Sequence, residues 1–351
     1  MSDKKPKAVV AVSGGLDSSV ATALLLEAGH PCQGVYMVTC EQGRHAQADA
    51  ERVAQKLGID LTVLDLREQF DEILRYFFDA YAKGRTPNPC VVCNRIVKFG
   101  RLWEFAQQAA APILATGHYA RIVTGQDGPG LYQGIDPAKD QSYVLSMVDR
   151  SVLSHVALPL GDYAKDRTRQ IAAKLGLGTE NKAESQEICF IPDDDYVALL
   201  EKHHPELVRT GPIVDSSGKQ LGTHQGIHRY TIGQRRGLRV AMGKPFYVTQ
   251  IDAPSNTVVL GPKAEVMHRQ LRTGPANWLM DKPREPFRAT VKIRYNDSGR
   301  PGTVLPETTG VRVEFDQPNM AITPGQLAVF YVDQEDMRRV AGAGWIEAAE
   351  D

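Results

Sequence analysis

The chain has 351 residues, with 41 Lys and Arg against 42 Asp and Glu, for a formal net charge of −1. Hydrophobic residues make up 42% and charged residues 24%, which excludes a disordered chain, a collagen-like repeat and a small disulfide scaffold. No stretch approaches the roughly 18 consecutive apolar residues of a membrane span, and the apolar run 8–12 is too short for a secretory signal, so a cytoplasmic protein with no membrane partner is expected.

Residues 7–12 (KAVVAV) read as a buried strand ending in a Gly-rich turn. A helix is expected over 17–28, stopped by Gly29, then a strand over 33–38 and a helix over 46–57, closed by Gly58. A strand over 61–64 and a helix over 68–81 follow, with Phe70, Ile73, Phe77 and Tyr81 on one face. The prolines of 86–94 are expected to hold that segment in an irregular loop, before a helix over 96–110 and a strand over 112–116. Strands alternating with helices predict an α/β fold, a doubly wound parallel sheet.

Helices are expected over 163–175 and 196–202, the second capped by the acids Asp193, Asp194 and Asp195. Beyond about residue 210, glycine turns separate short β-rich runs, such as 246–251 and 257–260. Residues 289–295, 310–315 and 326–332 alternate like strands of a small barrel. The expected domains are 1–205 (nucleotide-binding and catalytic), 206–274 (small, β-rich) and 275–351 (a C-terminal β-barrel).

The sharpest local signal is Ser13-Gly14-Gly15-Leu16-Asp17-Ser18-Ser19, between the first strand and the first helix. Two glycines allow a tight turn and close approach of a ligand. The serines offer hydroxyls, and the helix that follows points free N–H groups at the loop, which suits an anion. Asp17 is a poor phosphate neighbour unless it binds a metal ion or caps the helix. No G-x-x-x-x-G-K-[ST] or G-x-G-x-x-G occurs. The loop resembles the PP-loop of ATP pyrophosphatases, which cleave ATP to AMP and pyrophosphate and adenylate a substrate oxygen.

The five cysteines, Cys32, Cys40, Cys90, Cys93 and Cys189, read as thiols. Cys90 and Cys93 lie in Thr86-Pro87-Asn88-Pro89-Cys90-Val91-Val92-Cys93-Asn94, followed by Lys98-Phe99-Gly100. Cys189 lies in Glu184-Ser185-Gln186-Glu187-Ile188-Cys189-Phe190-Ile191, where, taken alone, a small buried hydrophobe is the favoured reading. With Thr116-Gly117-His118-Tyr119-Ala120, Lys139-Asp140-Gln141-Ser142-Tyr143, 230–238 (YTIGQRRGL) and Lys292-Ile293-Arg294-Tyr295, these segments resemble the tRNA 2-thiouridylase family of MnmA/TrmU type over nearly the whole chain.

That resemblance implies ATP-dependent 2-thiolation of the wobble uridine of tRNA, with tRNAs for Lys, Glu and Gln as usual substrates. It implies that Ala11, Val12, Ser13, Gly14, Gly15, Leu16, Asp17, Ser18, Met37 and Gly117 hold ATP with Mg²⁺. Cys93 matches the catalytic nucleophile and Cys189 the persulfide carrier. Asn88, Pro89 and Cys90 match the segment touching the target base, and Lys139, Asp140, Gln141, Arg294 and Tyr295 match tRNA-contacting positions. A cysteine desulfurase or sulfur-relay carrier is the implied sulfur donor, and a monomer is the expected state.

One position departs from the family. Well-known members carry Asp where this chain has Cys90. A carboxylate and a thiol differ by about four units in ordinary pKa, so an acid/base role does not transfer. With Cys93 and Cys189, Cys90 makes a trio that also matches the ligand pattern of a tRNA thiolase carrying a [4Fe–4S] cluster. Persulfide relay and cluster therefore both stand as readings, beside a plain redox C-x-x-C pair.

The stretch 219–244 holds Lys219, Arg229, Arg235, Arg236, Arg239 and Lys244 and no acid, with Tyr230 interleaved, which suits RNA phosphates and stacking. Flipping of the target uridine is expected. His118 reads as a hydrogen-bonded residue at a strand end rather than a base or metal ligand. Lys98, Arg95 or a helix end would each lower the Cys93 pKa. The rival functions are a PP-loop enzyme acting on a small molecule, which needs neither Cys93 nor Cys189, and a non-enzymatic RNA-binding protein with a decayed loop.

Overall fold

The structure is a computed structural model that describes the chain except residues 1–3, 40–43, 180–187, 192, 194, 239 and 241–242, and the side chains of 44–46. Cys40, the stretch Glu184–Glu187, Asp194 and Arg239 thus lie outside the described residues.

The first strands are β1 (Ala8–Ala11), β2 (Cys32–Val38), β3 (Asp60–Asp65) and β4 (Ile113–Ala115). After the hairpin strands β5 (Ala120–Gly125) and β6 (Gly128–Gln133) comes the short β7 (Val156–Ala157). A parallel sheet runs in the order β3-β2-β1-β4-β7. Alternation along β1 sends neighbouring side chains to opposite faces. Val9 packs with Leu102 and Ala106, whereas Val10 packs with Leu25, Ala50 and Val53. Helices therefore cover both faces, as the apolar strands require.

These helices are α1 (Leu16–Glu27), α2 (Arg44–Leu57), α3 (Arg67–Ala82), α4 (Pro89–Cys93) and α5 (Leu102–Gln108), followed by α6 (Ser142–Leu145), α7 (Lys165–Lys174) and α8 (Tyr196–His203). Asp195 caps α8, its side chain accepting from the Ala198 N–H at 2.9 Å. The irregular loop expected over 86–94 is not what forms. Pro89 occupies the first turn of α4, where its missing N–H costs nothing, and Asn88 caps it through the Val91 N–H at 3.4 Å. Nor is 96–110 one α-helix: Asn94–Arg101 is π-helical and joins α4 to α5.

The middle part is a four-stranded sheet of β8 (Gly211–Asp215), β9 (Gln220–His224), β10 (Tyr247–Asp252) and β11 (Thr257–Gly261), ordered β10-β11-β8-β9. Tyr230 is buried in its core with Ile213, Val248 and Leu260, so it offers no exposed ring for stacking.

The last part contains β12 (Met267–Thr273), β13 (Asn277–Trp278), β14 (Phe287–Lys292), β15 (Arg300–Pro306), β16 (Val311–Met320), β17 (Leu327–Gln334) and β18 (Met337–Glu350). The order β12-β16-β15-β14-β17-β18 closes on itself through β12 and β18 into a six-stranded antiparallel barrel. The barrel begins at Met267. The β5–β6 hairpin of the N-terminal part leaves the parallel sheet and pairs with β18, opposing Tyr132 to Arg339. Tyr143 and Leu145 share one core with Leu327, Val329 and Tyr331 of the barrel. The N-terminal part and the barrel are thus packed as one body.

Candidate active site

The chain leaves β1 and turns at Ser13–Gly15 into α1, at the carboxyl end of the strand where the sheet order reverses. Open α/β sheets bind ligands at such a switch point. Gly14 has φ +72°, and a Cβ there would lie 2.6 Å from the Ala50 nitrogen, so only glycine fits the turn. The Ser18 hydroxyl accepts from the Ser13 N–H at 3.1 Å and lies 3.0 Å from Ser13 Oγ. Ser19 donates to the Gly15 carbonyl at 2.7 Å. The loop is thereby preorganised at the N-terminus of α1, where the unpaired N–H groups of a helix suit an anion.

Gly117, just past β4, closes this cradle. A Cβ on it would lie 2.8 Å from Asp17 C and 2.8 Å from Ser18 N. Asp17 neither caps α1, whose cap is Gly15, nor stands free. Its carboxylate takes the Lys165 ammonium at 2.8 Å on each oxygen and the Tyr119 hydroxyl at 2.8 Å. Lys165 is buried, and α7 brings it from far along the chain. No sequence pattern pointed to it.

His118 is buried. Its Nδ1 lies 2.7 Å from Thr116 Oγ1 and its Nε2 3.4 Å from Lys98 Nζ. An ammonium only donates, so Nε2 accepts and Nδ1 carries the proton toward Thr116. Burial, with Lys98 beside it, holds the imidazole well below its ordinary pKa and therefore neutral. This is a hydrogen-bonded residue just past a strand end.

Lys98 also acts on the cysteines. Cys90 is accessible though crowded, and Cys93 is half-buried. Desolvation pushes both thiols up, and Lys98 pulls both down. Arg95 is exposed and exerts no such pull on them. The π-helix explains the choice, because its i→i+5 bonding turns Lys98 onto the side of Cys93, five residues earlier.

Met37, Cys93 and Phe190 pack on one cluster formed by Leu66, Phe70, Ile73 and Val97. Phe190 meets Phe70 and Phe77 edge-on at 5.5 and 5.2 Å, which anchors the residue after Cys189 on α3. Cys189 itself is exposed. Among the described residues, no three His, Cys, Asp or Glu side chains stand close enough to hold a metal.

The positions matched to tRNA contacts fall into two kinds. Asp140 is buried and accepts from Gly134 N, Ser142 N and Gln133 Nε2 at 3.1 Å each, and from Ser142 Oγ at 2.8 Å. Gln141 Oε1 accepts from Tyr119 N at 3.0 Å. Arg294 Nη2 donates to Thr323 Oγ1 at 2.7 Å, Ile232 O at 2.9 Å and Ala321 O at 3.2 Å, tying the middle sheet to the barrel. These polar groups are spent inside the protein. By contrast, Tyr295 is exposed, 6.1 Å ring to ring from Tyr143. Its hydroxyl is pushed up by partial burial and, more weakly, by Asp140 and Cys90. Lys139 is half-buried, while Arg235, Arg236 and Lys244 are exposed. Arg229 is engaged by Glu201, which His228 also meets at 3.0 Å.

Residues 86–88 have partners that no local sequence pattern announces. The Tyr76 hydroxyl accepts from Asn88 N at 3.2 Å, and the barrel's Gln326 donates to Thr86 O and Pro87 O, each at 3.0 Å.

Comparison with known proteins agrees with this three-part build. Residues 6–193 match a family model described as the tRNA methyl transferase HUP domain, 198–262 the tRNA methyl transferase PRC-barrel domain, and 268–346 the aminomethyltransferase beta-barrel domain. A HUP domain followed by a PRC-barrel and a β-barrel defines the class of protein. A tRNA-specific 2-thiouridylase MnmA of Syntrophotalea carbinolica is 44% identical, covering 99% of this chain and 100% of that one. The Carboxydothermus hydrogenoformans protein of that name is 44% identical, covering 98% of each chain. The Magnetococcus marinus protein is also 44% identical, covering 97% of this chain and 98% of that one. The chain belongs to the tRNA-specific 2-thiouridylase MnmA family.

Proposed function

We propose that this protein is an ATP-dependent tRNA sulfurtransferase that converts a tRNA uridine to 2-thiouridine. The observation that carries the reading is Lys98. It donates to His118, next to the Gly117 wall of the phosphate cradle, and its charge reaches Cys90 and Cys93. One ammonium therefore connects a nucleotide site to a pair of thiols.

The chemistry follows from that pairing. Uridine O2 is a poor leaving group. Its attack on the α-phosphate of ATP expels pyrophosphate and turns O2 into part of AMP. Sulfur then adds at C2, and AMP leaves. Ala11, Val12, Ser13, Gly14, Gly15, Leu16, Asp17, Ser18, Met37 and Gly117 are the proposed ATP site. Mg²⁺ would arrive on the triphosphate and neutralise its charge there. Cys189 would carry the incoming sulfur as a persulfide, delivered by a cysteine desulfurase or a relay carrier. Cys93 would attack that persulfide and release the sulfur toward C2, leaving a Cys93–Cys189 disulfide. Asn88, Pro89, Cys90 and Tyr295 would face the flipped base, which we take to be the wobble uridine of tRNAs for Lys, Glu and Gln. Lys139 and the exposed Arg235, Arg236 and Lys244 suit tRNA phosphates, with Asp140, Gln141 and Arg294 shaping the surface behind them. The sulfur route proposed is the persulfide one, and no step is routed through an iron–sulfur cluster. A monomer acting in the cytoplasm, with the three parts described above, completes the proposal.

The test is thiolation of an unmodified tRNA transcript with ATP, Mg²⁺ and a persulfide donor, read by mass spectrometry of the nucleosides. Wild type should form 2-thiouridine and release pyrophosphate, and Cys93→Ser should form none. Pyrophosphate release driven by a small molecule, with no dependence on tRNA or on Cys93, would sink the reading.

A further inference from the structure

Residues 86–88 have no helix or strand of their own, yet they set where α4 begins and hence where Cys90 and Cys93 stand. Backbone groups in such a segment need outside partners. Here two parts of the chain supply them, and a third adds a side-chain bond. The α3 hydroxyl of Tyr76 accepts from Asn88 N at 3.2 Å. The middle part offers Thr231 Oγ1 to Thr86 Oγ1 at 3.4 Å. The barrel supplies the rest, from the turn between β16 and β17.

In that turn, the Pro324 carbonyl accepts from Thr86 N at 3.1 Å. Gly325 has φ +93°, and a Cβ on it would lie 2.8 Å from Thr86 O, so glycine is what lets the two chain segments touch. Gln326 then donates from one amide nitrogen to the successive carbonyls of Thr86 and Pro87, at 3.0 Å each. Gln326 is itself fixed, because its backbone carbonyl takes the Ile346 N–H of β18 at 2.8 Å.

We propose that Gln326 is a positioning residue for the thiolation reaction: its amide fork, anchored on the barrel, sets the direction in which the chain enters α4 and so the placement of Cys90 and Cys93. This rests on the function proposed above. One N–H to one carbonyl would fix a distance. Two, to consecutive carbonyls, also fix a rotation, and the cysteine helix starts directly after the second. The barrel then does more than hold tRNA. It serves the chemistry from the far end of the chain.

The test uses the full-length protein with Gln326→Met, Gln326→Glu and Gln326→Lys. Met keeps the bulk and loses both donors. Glu turns a carboxylate toward two carbonyl oxygens. Lys restores a donor able to reach them. The expected order of kcat for 2-thiouridine formation is Lys above Met above Glu. Met should fall about tenfold to a hundredfold, the scale of a small misplacement of reacting groups. ATP affinity and tRNA affinity should stay within about twofold, because this amide touches neither ligand. Amide hydrogen exchange over 86–95 should quicken in Met and Glu and not in Lys, a readout independent of turnover. A Met variant with wild-type kcat and wild-type exchange would overturn the proposal, as would equal losses in all three variants that track only the melting temperature. If wild type itself forms no 2-thiouridine, the functional reading fails, and the exchange series still decides whether the clamp exists.

Discussion

Lys165 sets its ammonium 2.8 Å from both carboxylate oxygens of Asp17, at the mouth of the phosphate loop. That pairing answers how an acid is tolerated where an anion is expected to bind. The Lys165 side chain is only 8% exposed, whereas that of Asp17 is 35% exposed, so the ammonium lies deeper than the carboxylate it pairs with. Losing the lysine would leave a partly buried carboxylate unpaired beside a triphosphate. We expect Lys165→Met to raise KM for ATP by about tenfold or more, with tRNA affinity unchanged. The double variant Asp17→Asn, Lys165→Met should recover part of that loss, since the repulsive charge goes too. Isothermal titration with a non-hydrolysable ATP analogue checks both.

The thiols give a pH prediction. Desolvation pushes the Cys93 thiol above its ordinary value, and Lys98 opposes that rise. A thiol raised in this way is mostly protonated at neutral pH, and its reactivity grows as pH climbs toward its pKa. The charged group that acts on it is Lys98 of the π-helix. His118 is neutral and only orients Lys98. Replacing Lys98 by Met should move the pH midpoint for Cys93 alkylation further up, about tenfold in rate at neutral pH for each unit. The two rates should converge at pH values above both midpoints. Lys98→Arg should keep most of the effect. Alkylation of the 86–95 peptide in a Cys90→Ser background isolates Cys93, and an unmoved midpoint would remove Lys98 from the account.

Gly117 yields a steric prediction. Gly117→Ala brings a Cβ within 2.8 Å of the Asp17 and Ser18 backbone, with no flexible side chain in between to yield. Either the end of β4 or the start of α1 must shift, at a cost of about 1–3 kcal/mol. Because α1 carries the loop N–H groups, ATP binding should suffer before global stability does. Comparing the ATP-induced rise in melting temperature between variant and wild type measures this.

The parallel sheet and its helices were readable because apolar runs and helical spacing are local properties. So was the loop at Ser13–Ser18, whose glycines and serines are contiguous. Residues 86–94 misled the reading because proline breaks a helix inside it but begins one at its first turn, and Pro89 with Asn88 is a start signal. The fourteen-residue β18 carries the stretch Val-Ala-Gly-Ala-Gly, which shows neither period, and its strand character comes from four partners in the barrel and the hairpin. Tyr230 looked like a stacking ring within a basic run, yet the middle core needed it. Lys165 and Gln326 act across the chain, and nothing in a linear pattern ties them to Asp17 or to Pro87.

Arg235 and Arg294 separate two roles that the sequence made look alike. Arg235 and Arg236 are exposed, with no acidic partner among the described residues, and Lys244 is exposed on the same middle part. Arg294 spends one amino group on three oxygen acceptors between that part and the barrel, and burial holds its pKa below the ordinary value. A phosphate-binding arginine and a structural tie answer differently to salt. Arg235→Gln with Arg236→Gln should weaken tRNA binding and reduce the slope of log affinity against log salt by about one for each phosphate no longer neutralised. The melting temperature should not change. Arg294→Gln should do the reverse, lowering the melting temperature because three acceptors lose their donor, while the salt slope stays put. Fluorescence anisotropy with a labelled tRNA at several salt concentrations, beside a thermal melt of each variant, reads both quantities. A steep loss of salt dependence in Arg294→Gln with no loss of stability would move Arg294 to the RNA surface and assign the three oxygens another partner.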